Sequence, residues 1–396
     1  MVKKITKIVD GGIVADDIVD RFQLRSFCSL NDAGNFISKF VGIVVTREET
    51  LVSCPKHLGY KDDNDIELIL GCMMKASQYL GMRNVDVIQS NIPYEPYLFV
   101  LDYFQKYGLY RENLKQSYRG YAGNIDWRRT ARDSQKIISG DNLIFLPLVI
   151  NKSIQRDTFI GECMRFVIND GYEQFGKYVG RGLIIDGQSM DVNFEHTDLV
   201  INQLKEEKNS HFKDLEIELI DAIIDYLYWR GAFVENSFFI TKKFETMWET
   251  MVNSFLSDNY DSYDIEANRM LLVSGCKNHR FEKKTELIQS EYMTESNGIG
   301  YSVEYDHFCK EGDVVTLFDS KYYNEIVNVN YKQIAYHYFL SNRFNRQEVP
   351  KQIINGLIIP YEGDYYSKMH LDRSDIDGVV IVEHYFNLRD VMKAYL

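Results

Sequence analysis

Asp319, Ser320 and Lys321 end a short apolar run, Val314–Phe318, that only Thr316 interrupts. Such a run is expected of a strand buried on both faces. Side chains alternate along a strand, so Asp319 and Lys321 project from one face and Ser320 from the other. A carboxylate binds a hard divalent cation through oxygen. An ammonium two residues on can orient or activate water and offset charge developing on a phosphate. The chemistry these two groups would serve is metal-assisted phosphodiester hydrolysis.

That chemistry calls for a second acid, because two carboxylates holding one Mg²⁺ let it polarise the phosphate and lower the pKa of bound water. Asp306 lies thirteen residues before Asp319, near the end of the alternating run Tyr301–Phe308. Antiparallel strands joined by residues 309–313 would place it beside Asp319. Glu304 shares its parity and is the fallback; Asp313 precedes the second strand and ranks lower. A third acid, Glu249, follows Trp248 at the edge of a complete helical stripe formed by Phe244, Met247, Trp248, Met251, Val252 and Phe255. Gln333 opens the helix expected after the strand, where a polar amide can position water or phosphate. The candidate catalytic set is therefore Glu249, Asp306, Asp319, Lys321 and Gln333, with Glu249, Asp306 and Asp319 as metal ligands.

These residues need a scaffold, and a chain of 396 residues has room for two or three domains. Residues 1–110 read as an α/β domain. It holds a hairpin of Phe40–Thr46 and Leu51–Ser53 ending at Cys54-Pro55-Lys56, then helical patterns at Ile66–Leu80 and Tyr97–Lys106. Residues 111–232 read as a mostly helical middle region that begins with a basic segment around Gly123-Asn124-Ile125-Asp126-Trp127. Its clearest helix runs from Asp214, a reasonable N-cap, to Gly231. Residues 233–396 read as a small α/β domain. Its elements are the Phe244–Phe255 helix, strands at Tyr301–Phe308 and Val314–Lys321, a helix at Tyr331–Ser341, and strands at Ile353–Pro360 and Gly378–Val382.

The formal net charge of −13 argues against a general nucleic-acid coat, because phosphate binding needs clustered Lys and Arg. Clusters do exist. Arg111–Lys136 carries seven Lys and Arg, including Arg119, Arg128, Arg129 and Arg132, against three acids, and Lys277 and Arg280 fall in a shorter cluster. These six residues are the candidates for DNA phosphate contacts. The six cysteines are scattered without a CxxC pair, which suggests neither a zinc site nor a disulfide framework. The longest apolar stretch, Leu143–Ile150, contains Pro147 and falls far short of the ~20 residues a membrane span needs. The N-terminus has no apolar leader core, so a cytoplasmic protein is expected.

Taken together, an acid on one strand and D-x-K on the next resemble the PD-(D/E)xK nuclease superfamily, although Tyr305 stands where a proline usually precedes the first acid. A narrower resemblance is to the LlaJI-type restriction endonucleases and, more distantly, to McrC-type nuclease subunits. It rests on an ordered set: Phe40-Val41-Gly42-Ile43-Val44, Cys54-Pro55-Lys56-His57, the Gly123–Trp127 segment with Thr130, the Phe244–Glu249 helix, Asp319-Ser320-Lys321, and Tyr331-Lys332-Gln333. The resemblance implies a C-terminal nuclease core, a mixed sheet flanked by helices, cutting double-stranded DNA in a phage-defence system with Mg²⁺, or Mn²⁺ in its place. It also implies a partner, an McrB-like AAA+ GTPase engaged through the N-terminal half. The chain has no GxxxxGK[ST] loop of its own. Two other readings stay open, a non-catalytic activator of an AAA+ complex and a recombination or repair nuclease of the same superfamily.

Overall fold

The structure, a computed structural model, describes residues 4–46, 49–62, 64–80, 87–179, 182–187, 192–232, 236–288, 301–341 and 350–396. The chain forms two compact units, one made of Met1–Asn91 with Glu235–Leu396 and the other of Ile92–Val234. The second unit ends at Val234. It opens at Ile92 rather than near residue 110, and residues 1–91 and 235–396 are one body rather than two.

Long-range pairing explains this. Ser237–Thr241 completes a five-stranded sheet with the N-terminal strands, antiparallel to Val41–Val45, which in turn pairs antiparallel with Glu49–Cys54. Gly42 makes the close crossing possible. Its φ of +133° suits glycine, and a Cβ there would lie 2.2 Å from the carbonyl oxygen of Phe239. At the far end of the same unit, the helix Asn64–Leu80 meets the C-terminal helix Leu388–Tyr395. Arg389 forms a buried ion pair with Asp65 and donates to the carbonyls of Leu58 (3.0 Å) and Gly59 (2.9 Å). A buried charge pair needs such extra hydrogen bonds to offset desolvation.

The C-terminal part of this unit is a six-stranded mixed sheet in the order Glu282–Ile288, Tyr301–Glu311, Val314–Ser320, Gln352–Tyr361, Val379–Asn387, Tyr366–Arg373. The two central pairings are parallel and the outer ones antiparallel. The helix Tyr331–Ser341 follows the Asp319 strand and packs on its Leu317 side, where Tyr305, Phe308, Val315, Leu317, Tyr336 and Leu340 form one apolar cluster. Phe318 points the other way, to Tyr260 and Phe281, beside the helix Phe244–Asn259. A mixed sheet flanked by helices was the expectation, and the expected strands are present. The outer strands Glu282–Ile288 and Tyr366–Arg373 are additions.

The inserted unit corrects the expectation of a mostly helical middle region. Arg111–Gly120 and Leu148–Asp157 pair as a ten-residue antiparallel ribbon, and Gln135–Ser139 pairs with Asn142–Leu146 as a hairpin. Most residues of these strands are exposed, so they lack the apolar alternation that marks a half-buried strand. Helices Tyr94–Tyr107, Phe159–Gln174, Thr197–Lys208 and Asp214–Gly231 supply the buried core, including Tyr97, Val167, Ile220 and Ile223. The Gly123–Trp127 segment makes local structure. Asn124-Ile125 pairs with the ribbon, and the Asp126 side chain caps the helix Trp127–Asp133 by accepting from Arg129 N–H at 3.0 Å.

Candidate active site

Asp319 is fully buried near the C-terminal end of its strand, where the parallel strands of an open α/β sheet place their reactive groups. Its two oxygens meet two lysines. Oδ2 faces Lys321 Nζ, and Oδ1 lies 3.3 Å from Lys332 Nζ. Alternation holds at this end, because Ser320 turns away to His307, whose Nε2 lies 2.7 Å from its hydroxyl. Burial keeps His307 neutral by pushing its pKa down to about 3.

Asp306 reaches Asp319 through strand register and a bulge. His307 pairs with Phe318 in the antiparallel ladder, which brings Asp306 beside Asp319. On the other side the ladder runs from Tyr305↔Lys284 to Phe308↔Glu282, so Asp306 and His307 together face Lys283 alone. Two residues opposing one is a β-bulge, and it re-aims the side chains it carries. Asp306 hydrogen-bonds Asp319, and burial, the Asp319 charge, that bond and the Glu249 charge raise its pKa to about 7. Burial also pushes Asp319 up. Lys321 outweighs it, joined by Lys332 and the bond from Asp306, so the Asp319 carboxyl ends below its ordinary value of 3.8. The two carboxyls are therefore pushed apart, Asp306 toward holding a proton and Asp319 toward losing one.

Glu249, on the helix Phe244–Asn259, stands at the rim. Burial raises its pKa, Lys283 at 3.8 Å lowers it, and the Asp319 charge raises it again. The three carboxylates Glu249, Asp306 and Asp319 do not all come within 4.8 Å of one another. Glu304, the alternative upstream acid, is exposed and pairs with Lys283 at 2.8 Å. Asp306, not Glu304, is thus the acid in contact with Asp319.

Gln333 is fully buried over Asn355, whose side-chain amide donates to its backbone carbonyl at 3.0 Å. Its own amide nitrogen and oxygen have no partner among the described residues. Such a group is costly to bury and calls for an explanation. Lys332, one residue earlier, was not among the candidates. Burial lowers its pKa, yet Tyr336, Asp319 and Asp306 raise it above its ordinary value. Its signal in the sequence was only its place in the first turn of the helix after D-x-K.

One N-terminal motif supports the strand end from within the same unit. Lys56 N–H donates to the Tyr322 hydroxyl at 2.7 Å, and His57 Nε2 lies 2.9 Å from the Tyr323 carbonyl oxygen. The Cys54–His57 segment thereby pins the two tyrosines that follow Lys321.

The LlaJI restriction endonuclease family profile matches residues 40–335, about three quarters of the chain. The chain belongs to that family. The matched span takes in the Gly42 crossing, the Cys54–His57 clamp, and Glu249, Asp306, Asp319, Lys321 and Gln333. Among solved structures the chain is similar to one in a half-complex from a tetradecameric assembly of Thermococcus gammatolerans McrB AAA+ hexamers with bound McrC. The identity is 14%, the TM-score 0.39, and 99% of this chain and 98% of that one are covered. It is also similar to a chain of the Thermococcus gammatolerans McrBC complex, at 12% identity and a TM-score of 0.27, covering 66% and 89%. No curated protein matches the sequence.

The six basic candidates for DNA contact divide between the units. Arg119 lies on the exposed ribbon and Arg128, Arg129 and Arg132 on the short helix Trp127–Asp133, all four exposed. Arg129 donates to Ser117 at 2.8 Å and Arg132 pairs with Asp133 at 2.6 Å. Lys277 and Arg280, also exposed, lie in the other unit, ahead of the Glu282–Ile288 strand. No described helix is long and apolar enough to cross a membrane.

Proposed function

We propose that this chain is the Mg²⁺-dependent DNA endonuclease subunit of a restriction system, a member of the PD-(D/E)xK superfamily that cuts both strands of phage DNA. The observation that carries this reading is the buried Asp306–Asp319 pair flanked by Lys321 and Lys332 in a chain of a restriction endonuclease family. Two carboxylates in contact in a low-dielectric site repel unless a cation lies between them. The raised pKa of Asp306 reflects that repulsion, and a hard divalent ion with oxygen ligands suits the same donors. The residues therefore fit Mg²⁺, or Mn²⁺, with Asp306 and Asp319 as ligands and Glu249 supporting from the rim.

When bound, the ion would polarise the phosphate and lower the pKa of a coordinated water. The protein does the rest. Lys321 keeps Asp319 ionised and presents an ammonium to the attacking water or the phosphate. Lys332 adds a second positive charge beside the other Asp319 oxygen, which would offset charge developing on a scissile phosphate. Asp306 would hold such an ion together with Asp319, as a carboxylate freed of its proton. Gln333 offers a buried amide with unmet hydrogen bonds to a water or phosphate oxygen.

The partners in this reading are double-stranded DNA and an McrB-like AAA+ GTPase. Two features support delivery by a motor: the net charge of −13 and the lack of a nucleotide-binding loop in the sequence. The test is cleavage of supercoiled plasmid DNA in Mg²⁺, alone and with an McrB-like P-loop GTPase. Cutting that needs Mg²⁺ and stops in both Asp319→Ala and Lys321→Ala is the expected result. Mg²⁺-dependent nicking that persists in both variants would sink the assignment.

A further inference from the structure

Away from the acid pair, His279, Cys309 and Glu311 bring an imidazole nitrogen, a thiol sulfur and a carboxylate oxygen within 4.8 Å of one another. Among the described residues no other cluster of His, Cys, Asp and Glu converges this way. Cys309 is buried in the Asp306 strand and Glu311 ends it, while His279 arrives from the segment after the strand Arg269–Leu272.

The hydrogen bonding of His279 shows what is missing. Its Nε2 lies 2.5 Å from the backbone carbonyl oxygen of Asp261. A carbonyl only accepts, so Nε2 carries the proton and donates. In the neutral ring Nδ1 is then a bare lone pair, and it faces Glu311 Oε1. Two acceptors in contact need a cation between them, either a proton on the imidazole or a metal ion. The same Glu311 oxygen lies 4.0 Å from Cys309 Sγ, so a third donor reaches the same place. A metal-ligating histidine usually has its other ring N–H held by a carbonyl or carboxylate, as here. The Tyr260 ring, 5.1 Å away edge-on, closes one side of the imidazole.

The donor types select the metal. Nitrogen, sulfur and one carboxylate suit Zn²⁺ and its chemical relatives, not Mg²⁺, which prefers oxygen ligands and keeps much of its water. We propose that His279, Cys309 and Glu311 form a second metal site, of zinc type, which clips the basic Lys277–Arg280 segment to the strand bearing Asp306. Its place in the fold gives it a structural task. Lys277 and Arg280 lie two residues and one residue from the His279 ligand, and Asp306 is three residues before Cys309. Metal at this site would fix both the edge of the sheet and the bulge that aims Asp306. The sequence hid it because its ligands lie 30 and 32 residues from His279, with no paired-cysteine spacing.

The experiment is a Co²⁺ titration of the full chain, stripped with chelator and dialysed, in excess Mg²⁺. One equivalent of Co²⁺ should bind with a thiolate-to-cobalt charge-transfer band, and Zn²⁺ should displace it. Cys309→Ser should lose the band, and His279→Ala and Glu311→Gln should each weaken binding at least ~10-fold. Asp319→Asn should leave the band intact, since oxygen ligands alone give no such transition. Glu311 is exposed, so Glu311→Gln keeps the test valid if Cys309→Ser fails to fold. The absence of the band in the wild-type chain, its survival in Cys309→Ser, or wild-type affinity in both His279→Ala and Glu311→Gln overturns the proposal. In that case the contact is an imidazolium–carboxylate ion pair.

Discussion

Replacing Asp306 by Asn tests the pairing of the two acids without any assay of cleavage. Asn is isosteric and its amide can donate to Asp319 as a protonated Asp306 does, so the variant imitates the protonated site. In the wild type the folded-state pKa of about 7 lies above the ordinary 3.8. Retaining that proton stabilises the fold fully below pH ~4, and the stabilisation is lost as pH rises to about 7. At ~1.4 kcal/mol per tenfold change the difference is at most ~4 kcal/mol, and it belongs to the Asp306–Asp319 pair rather than to either residue. For a domain of this size ~1 kcal/mol moves the melting temperature by roughly 2–4 °C, so the full effect is roughly 8–16 °C. Thermal unfolding should be followed in chelator from pH 4 to 8.5, then with Mg²⁺. Wild type and Asp306→Asn should melt together near pH 4, with the variant melting higher at pH 8. Mg²⁺ should raise the wild-type midpoint at pH 8 and leave the variant nearly unmoved. An Asp306→Asn chain that melts lower than wild type at pH 8 in chelator would refute the coupling of the two acids.

The two lysines should separate by position. Lys321→Ala should lower single-turnover cleavage by at least ~10²-fold, and Lys332→Ala by less, since that side chain is about half exposed. Gln333→Leu should leave the melting temperature unchanged or raised, because it removes a buried amide worth ~1–3 kcal/mol of unmet desolvation, while slowing cleavage. A variant that both loses stability and cuts normally contradicts a role at the site. Gly42→Ala should cost ~3 kcal/mol or more by chemical denaturation, because the new methyl meets the Phe239 carbonyl at 2.2 Å. Arg119→Glu and Arg128→Glu should weaken DNA binding across sequences and flatten its salt dependence, measured by anisotropy between 50 and 200 mM salt; unchanged slopes would remove those residues from the interface.

Local pattern carried much of this molecule. The helix Tyr331–Ser341 has the expected bounds, and Val314–Ser320 has the alternation that puts Asp319 and Ser320 on opposite faces. The Phe244 helix runs four residues, about one turn, past its apolar stripe, to Asn259. These elements were legible because burial of one face imposes a period of 3.6 or 2 on the residues that form it. The strands Glu282–Ile288 and Tyr366–Arg373 were not, because outer strands rich in charge satisfy their backbone on one side and bury little. The exposed ribbon of the inserted unit escaped for the same reason.

Asp319-Ser320-Lys321 itself was readable as a charged end to a buried strand, and the acid upstream as a plausible companion. Only the folded chain decided the rest. The register His307↔Phe318 and the bulge opposite Lys283 choose Asp306 over Glu304, although the two acids share a parity in the sequence. The helix that follows swings Lys332 onto the second oxygen of Asp319, which no spacing rule announces. Residues 1–91 join residues 235–396 because a strand and a helix from each part bury surface that neither can bury alone. Periodicity reports which side of a single element avoids water. Which charges end up close enough to share a proton depends on pairings between distant segments, and those energies arise only in the assembled fold.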